Sequence, residues 1–537
     1  MKRLAYTLSA ALLVVSLLLA ACAKPAPSPA PAPKPTVTAT PTAAPKASPT
    51  PTAAPVGTPQ YGGILKVAAG NTPRSIHPEP STIQNWYTKA AYDTLLRLDE
   101  KGELQPRLAT DWKLSPDKKS LTLTLRKGVK FHDGTDLNAD AVKFSLEIRK
   151  AGKRGDYEEV TSIDIVDDLT VRLNLAKFQN TLFTSLWFIG GMITSPTAYK
   201  KFGSEQAQWN PVGTGSFKFV KYEQNTIIKY ERFDAYWEKG KPYLDGFESY
   251  IIPDATTREL ALRKGEIHSY EGVTPDVALK LEKDGFPLMK GPAEIYNLMT
   301  GDSVNRDSPW SNKKVREAAE YAIDREAIVK ALGFGQMEAL YQMTPSGTYA
   351  YIPDFKGRTY DPARAKQLLT EAGYPTGFKT TIIDRAPGPG AAVLAAATNL
   401  KEVGIDVTFD MVDAARYLQI SQGGWKNGLL VRAFRDPPDW IQFVNTYTAS
   451  TALESKSVLR PAGYDDLLAE VLLASDMASK RTAAQQVVRK AYDEALAIPL
   501  WATLRVIPRV KNAHNLEYFV PWGANKLWSP ADAWLSK

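Results

Sequence analysis

The hydrophobic pattern changes period along this chain, and the changes mark out its elements. From Ser120 to Leu125, Leu121, Leu123 and Leu125 alternate with Thr122 and Thr124, the two-residue period of a half-buried strand. Leu169 to Leu175 repeats the pattern, and Tyr61-Gly62-Gly63-Ile64-Leu65-Lys66-Val67 opens another strand. Ser216 to Tyr222 and Thr226 to Glu231 read as a hairpin turning at Glu223-Gln224-Asn225. After residue 310 helical periods dominate. Lys313 to Leu332 sets Val315, Ala318, Ala319, Ala322, Ile328 and Leu332 mainly on one face, which predicts one helix. Asp361-Pro362 is a strong start signal, a side-chain cap followed by proline at the first helical position. That helix is expected to stop at Gly373, before Pro375. Strands at 378–383 and 405–410 flank an Ala-rich helix near 391–403, a βαβ order that calls for a parallel sheet. Helices at about 464–475 and 479–497 and a strand from Trp501 to Ile507 complete an α/β chain without short internal repeats.

The first 60 residues depart from this pattern. Met1-Lys2-Arg3 precedes an apolar run from Leu4 to Ala21, as in an export signal. About 18 apolar residues also just suffice to span a bilayer. Leu19-Ala20-Ala21-Cys22 decides between the two, because it resembles the lipobox of bacterial lipoproteins. In that class Cys22 takes a diacylglyceryl group and the chain is cut before it. Residues 1–21 are thus expected to be a signal peptide, and 22–60 a lipidated cysteine with its stalk. About a third of residues 24–59 are proline, and none is acidic. Such a segment cannot bury enough apolar surface to offset its ordering entropy. At about 3.1 Å per residue in polyproline II it reaches on the order of 100 Å.

Composition narrows the partners. The formal charge is +8, from 66 basic and 58 acidic residues. Five of the basic residues and none of the acidic ones precede residue 61, which leaves the body 61 against 58, or +3. No basic block with interleaved aromatics stands out, so nucleic acid is not an expected partner. Cys22 is the only cysteine, so disulfides and thiolate metal sites are excluded. His77, His132, His268 and His514 form no ligand motif, and neither a metal nor a cofactor is expected. Gly-x-Ser-x-Gly, His-Glu-x-x-His and a phosphate loop are all missing, which argues against a surface hydrolase. No catalytic residue is assigned.

Four stretches stand out: residues 92–98 with 106–112; 125–135 with Ala139-Asp140-Ala141-Val142 and Phe144-Ser145-Leu146; Pro211 to Phe217 with Tyr236-Trp237, Lys241-Pro242 and Gly265-Glu266-Ile267; and Lys314 to Ala318 with Tyr321 to Arg325 and Tyr360 to Leu369. Together they resemble family 5 of the extracellular solute-binding proteins, the peptide- and nickel-type receptors of ABC importers. Their order and spacing cover nearly the whole body. Locally, Phe131-His132-Asp133-Gly134 reads as a turn rather than a catalytic His-Asp pair. Gly213-Thr214-Gly215 reads as a tight turn, and Asp324-Arg325 as a structural pair.

The resemblance implies a type II periplasmic-binding-protein fold, two lobes around a cleft with an extra domain inserted in the first lobe. Lobe I would take residues 61–97, 195–305 and 500–537. The extra domain would cover 98–194 and lobe II 306–499, with hinge crossings near 305 and 499. It further implies a monomer that captures a small solute or oligopeptide and delivers it to a cognate ABC permease. The lipid anchor would hold it on the outer face of the cytoplasmic membrane.

Peptide-binding relatives anchor the ligand's amino terminus on a carboxylate shortly before an acidic-Pro pair. That pair is Asp436-Pro437 here, and Ala433 stands where the carboxylate is expected. Arg385 falls where a dipeptide-type relative holds a carboxylate. Asp436 or Asp439 would have to replace the missing acid, and Phe434, Arg435, Trp440 and Trp425 complete the candidate set. A non-peptide solute such as an oligosaccharide, an anionic compound or a metal chelate remains open at this stage. So does a holdase that binds unfolded chains.

Overall fold

The computed structural model describes residues 57–80, 86–99, 103–153, 157–386, 388–435, 439–516 and 529–537. Cys22, the stalk and Asp436 therefore lie outside the described residues.

Two mixed sheets and one antiparallel sheet organise the body. In the first, strands run in the order Ser269–Tyr270, Ile64–Ala69, Gly246–Ile251, Ile227–Arg232, Phe217–Glu223. The predicted hairpin forms its far edge. The second sheet is antiparallel: Ala109–Leu114, Ser120–Leu125, Thr170–Leu175, Val160–Asp167. Leu121 faces Leu173 and Leu123 faces Val171 across it, and all four are fully buried beside Val142 and Leu146 of helix Ala139–Ala151. A one-residue slip would turn every one of these leucines to solvent, so the alternation fixes the register.

The third sheet has six strands: Met337–Ala339, Ile498–Pro508, Leu288–Gly301, Gly428–Arg435, Phe378–Arg385, Ile405–Val412. Phe378–Arg385 runs parallel to both Ile405–Val412 and Gly428–Arg435. The βαβ expectation holds, with helix Ala391–Glu402 as the crossover.

The single helix predicted over Lys313–Leu332 is two, Lys313–Ala322 and Arg325–Leu332. Ile323 is extended (φ −92°, ψ 117°), and the Asp324 carboxylate accepts the Ala327 N–H to start the second helix. The break lets buried Arg325 reach three segments, donating to the carbonyls of Glu320, Arg358 and Pro499. Asp324 and Arg325 are thus both structural but serve different partners rather than each other.

Two long strands, Leu288–Gly301 and Ile498–Pro508, pair antiparallel and change surroundings along their length. Ile498, Leu500, Trp501 and Met299 pack into the core under the third sheet. At the other end Ile507 belongs to the core of the first sheet, where Met289 also packs. The Ser269 hydroxyl of that sheet donates to the Pro508 carbonyl at 2.8 Å. The pairing register shifts between Lys290 and Ala293 and again between Ala293 and Ile295, in the stretch between the two cores. Two lobes are thus joined by one strand pair that is irregular where it passes between them.

Residues of the first and third recognised stretches meet in a buried knot around Asp93, and the second stretch bonds to the third beside it. Asp93 accepts from Arg107 Nε at 3.0 Å, Trp237 Nε1 at 2.8 Å, and Thr214 and Tyr236 hydroxyls at 3.4 Å each. His132 Nε2 donates to the Gly215 carbonyl at 2.8 Å, and Asp133 accepts from Ser195 Oγ at 2.5 Å. The Phe131-His132-Asp133-Gly134 segment is a turn, as read from the sequence, with Gly134 at φ 86°. Gly213 and Gly215 lie against the end of helix Trp86–Ala91. A Cβ at either position would come within 2.2 and 2.4 Å of the Ala91 and Ala90 carbonyl oxygens.

Candidate functional site

Open α/β sheets bind ligands outside the carboxyl ends of their parallel strands. Here those ends are Arg385, Val412 and Arg435. Arg385 is exposed, and its guanidinium carbon sits 4.2 Å from the centre of the Tyr417 ring. Among the described residues its side chain makes no hydrogen bond or ion pair. The neighbouring Asp384 makes no side-chain hydrogen bond to it: burial raises that carboxyl above its usual range, the Arg385 charge works against the rise, and its oxygen accepts the Arg385 backbone N–H. Tyr417, on helix Ala414–Gly423, is fixed in turn because its hydroxyl donates to the Val431 carbonyl at 2.8 Å.

A second guanidinium lies one strand over. Arg432 is buried and donates to Glu454 at 3.1 Å and to Ser421 Oγ at 2.7 Å. Its guanidinium carbon is 5.1 Å from the centre of the Tyr447 ring. Phe434 packs edge-on against Phe443, with centroids 4.1 Å apart, and lies 4.7 Å from Tyr447. Arg385, Tyr417, Arg432, Tyr447 and Phe434 thus form an aromatic and cationic cluster at the sheet end, in which Tyr417, Arg432 and Phe434 are buried, Tyr447 is half-buried and Arg385 is exposed. Of its two guanidinium groups, Arg385 is the one whose side chain has no hydrogen bond or ion pair among the described residues. A planar guanidinium held by stacking presents its donor fork in a fixed direction, the geometry that takes a carboxylate on two parallel hydrogen bonds.

The other sequence candidates fall in different settings. Asp439 is buried and fully engaged. It caps helix Trp440–Thr448 and accepts from Thr184 at 2.9 Å, from Tyr349 at 2.5 Å and from Lys480. Its charge is balanced by Lys480 rather than offered to solvent. Trp440 is 2 % exposed and edge-on to Tyr349. Trp425 packs with Ile383, Val412, Tyr417, Ile420, Leu430 and Val458, and its indole N–H donates to the Gly428 carbonyl. Ala433 is exposed, and its strand partner is Asn297. The backbone of Arg435 pairs with Ile295, and Asp436 falls outside the described residues.

Sequence reasoning missed Tyr417, Arg432, Tyr447 and Glu454. One signal was present: Arg432 is a lone charge within the otherwise apolar stretch from Leu429 to Phe434, which a buried strand tolerates only with a partner.

No group of three His, Cys, Asp or Glu side chains is placed to hold a metal ion among the described residues. His77, His132 and His268 instead bond to backbone or hydroxyl groups.

Two α/β lobes joined by a strand pair, with a polar-aromatic site at the sheet end of one, define a two-lobed binding protein. The chain belongs to the bacterial extracellular solute-binding proteins, family 5, whose middle region it matches over residues 103–455. It is 30% identical over 472 residues to the glutathione-binding protein GsiB of Shigella flexneri serotype 5b, covering 84% of this chain and 90% of that protein. The ABC transporter-associated periplasmic binding protein DppA of Helicobacter pylori, in complex with the peptide STSA, superposes with a TM-score of 0.69 at 26% identity. The match covers 89% of this chain and 99% of that one. HbpA2 of Haemophilus parasuis shares the fold at a TM-score of 0.80 and 21% identity, over 88% of this chain and all of its own. The body is therefore a substrate-binding protein of the ABC-transporter type.

Proposed function

We propose that this protein captures a peptide or peptide-like solute through a ligand carboxylate held by Arg385. The carrying observation is the exposed guanidinium stacked on Tyr417 without a polar partner. GsiB is named for glutathione and DppA was solved with a peptide, which supports short peptides with free carboxylates as the solute class. Ala433 removes the carboxylate expected before the acidic-Pro pair, and Asp439 is engaged by Lys480, which favours the ligand's carboxylate end as the main handle.

Titration calorimetry with glutathione and with Ser-Thr-Ser-Ala tests this. Arg385→Ala is expected to weaken the better ligand by at least tenfold, about 1.4 kcal/mol or more, and to leave a carboxyl-amidated analogue unaffected. Equal affinity of parent and variant for the free acid would remove the assignment.

Closure is proposed to bend the strand pair at its irregular register between Lys290 and Ile295. We further propose that Cys22 carries the lipid and residues 23–60 the stalk. Cys22→Ser is then expected to move the chain from the membrane fraction to the soluble exported fraction, and retention in the membrane would count against the anchor.

A further inference from the structure

The end of helix Tyr464–Leu473 is held by residues from the four-stranded domain, far away in sequence. A helix terminus leaves its last four carbonyls without partners inside the helix. Here consecutive carbonyls are taken by that domain. Asn180 Nδ2 donates to Val471 at 2.6 Å and to Ala474 at 3.0 Å, and the Asn180 backbone N–H donates to Leu472 at 2.8 Å. Lys118 Nζ donates to Leu473 at 3.1 Å. A cation at a helix C-terminus also complements the helix dipole.

Asn180 makes this contact instead of its local one. It occupies the cap position of helix Thr181–Trp187, where an asparagine side chain ordinarily accepts an N–H of the first turn. It makes no such bond there. Its amide is turned outward to the other lobe, and it is 4% exposed. One turn on, Thr184 reaches Asp439. Asp439 starts the helix that follows the Gly428–Arg435 strand, so the same contact touches the segment next to the candidate site. The contact is polar. The hydrophobic core of the four-stranded domain and that of helices Tyr464–Leu473 and Met477–Asp493 share no residue. Hydrogen bonds of this kind are exchanged for bonds to water on separation, which makes the contact reversible.

We propose that Asn180 and Lys118 form a latch by which the four-stranded domain holds the second lobe in the arrangement that carries these bonds, and that this arrangement is the closed, solute-holding one. They would set solute affinity without touching the solute. Ligand and latch would then favour the same state and strengthen each other. This inference rests on the two-lobed receptor reading but not on the identity of the solute.

Distance measurement between spin labels tests it without a ligand. Labels at Val166→Cys and Leu394→Cys, exposed sites on the two sides, are placed in the full chain carrying Cys22→Ser. The parent is expected to show a short and a long distance population. Asn180→Ala and Lys118→Ala should each shift the ratio toward the long one by about tenfold, with unchanged circular dichroism. Should Asn180→Ala fold poorly, Lys118→Ala, a half-buried residue, carries the test. Distances that stay the same in parent and variants would overturn the latch and make the contact a fixed dock, whether or not thermal stability falls. Because no solute is present, that failure is separate from any failure of the Arg385 assignment.

Discussion

Asp93→Ala is expected to lower stability by about 3–5 kcal/mol, the range for removing one member of a buried ion pair. Asp93 is 1% exposed and Arg107 8%. The carboxylate faces Arg107, the Trp237 indole and the hydroxyls of Thr214 and Tyr236. Alanine would leave the guanidinium in the interior with the Ser529 hydroxyl at 3.4 Å as its hydrogen-bond partner and Glu238 as the remaining opposite charge acting on it, and would orphan the indole N–H. The penalty comes from the stranded charge more than from a lost attraction. Asp93→Leu combined with Arg107→Leu should therefore recover much of the loss. Chemical denaturation of the three proteins checks this. A loss below 1 kcal/mol for the single variant, or a double variant as unstable as the single, would refute the account. Because Asp93 lies in the first of the recognised motifs and Thr214, Tyr236 and Trp237 in the third, the result also bears on why those residues recur together in one chain: they build the first lobe.

Acidification from pH 6.5 to about 4 should destabilise the folded body well before most carboxylates titrate. Burial is the main cause that pushes His77 down to about 3, and His132 and His268 to about 4. The bonds accepted by Nδ1 of His77 and His268 act in the same direction, whereas the bond from His132 Nε2 to the Gly215 carbonyl opposes it without outweighing burial. Nδ1 of His77 accepts the Glu79 N–H at 3.1 Å, and Nδ1 of His268 accepts the Lys66 N–H at 2.9 Å, so a proton on either nitrogen breaks its bond. His132 already donates through Nε2, and its buried Nδ1 has no partner to receive a second N–H. In the unfolded chain each histidine takes up a proton near pH 6.5, whereas in the folded chain it does not until about pH 3–4. The unfolded state thus binds more protons in that window, and stability falls as pH falls through it. The effect is on the order of 2–2.5 kcal/mol per histidine by pH 4.5. Melting temperatures at pH 7.0, 5.5 and 4.5 give the test. A flat profile would contradict it, and His132→Gln should flatten part of the slope.

Much of the fold was written in local patterns. Leu121, Leu123 and Leu125 show their strand by alternation because one face alone is buried, and Asp361 caps its helix through its own side chain. The split at Ile323 was hidden, since the apolar spacing continues across it and only the capping bond of Asp324 and the long reach of Arg325 impose the break. The length of the Ile498–Pro508 strand was underestimated for a related reason. It packs into two cores in succession, and no single period describes it. At the candidate site, Arg385 was found through resemblance. Tyr417 and Tyr447 sit on helices whose apolar faces make them look like ordinary core residues, and their role as supports for guanidinium groups exists only once strands and helices are assembled. Asp439 looked free in sequence because Lys480, Thr184 and Tyr349 approach it from 41, 255 and 90 residues away.

The strand pair between the lobes bears on ancestry as well as on motion. Met299 and Ile498 face each other in register, so the chain leaves for the second lobe and returns from it on neighbouring strands. Everything in between is one excursion with adjacent ends. Such an excursion can be lengthened, trimmed or exchanged by recombination while the first sheet and its Asp93 knot keep their connections. One uninterrupted stretch of the gene thus encodes the whole second lobe, and rewriting it would leave the strand pairings of the first sheet as they are.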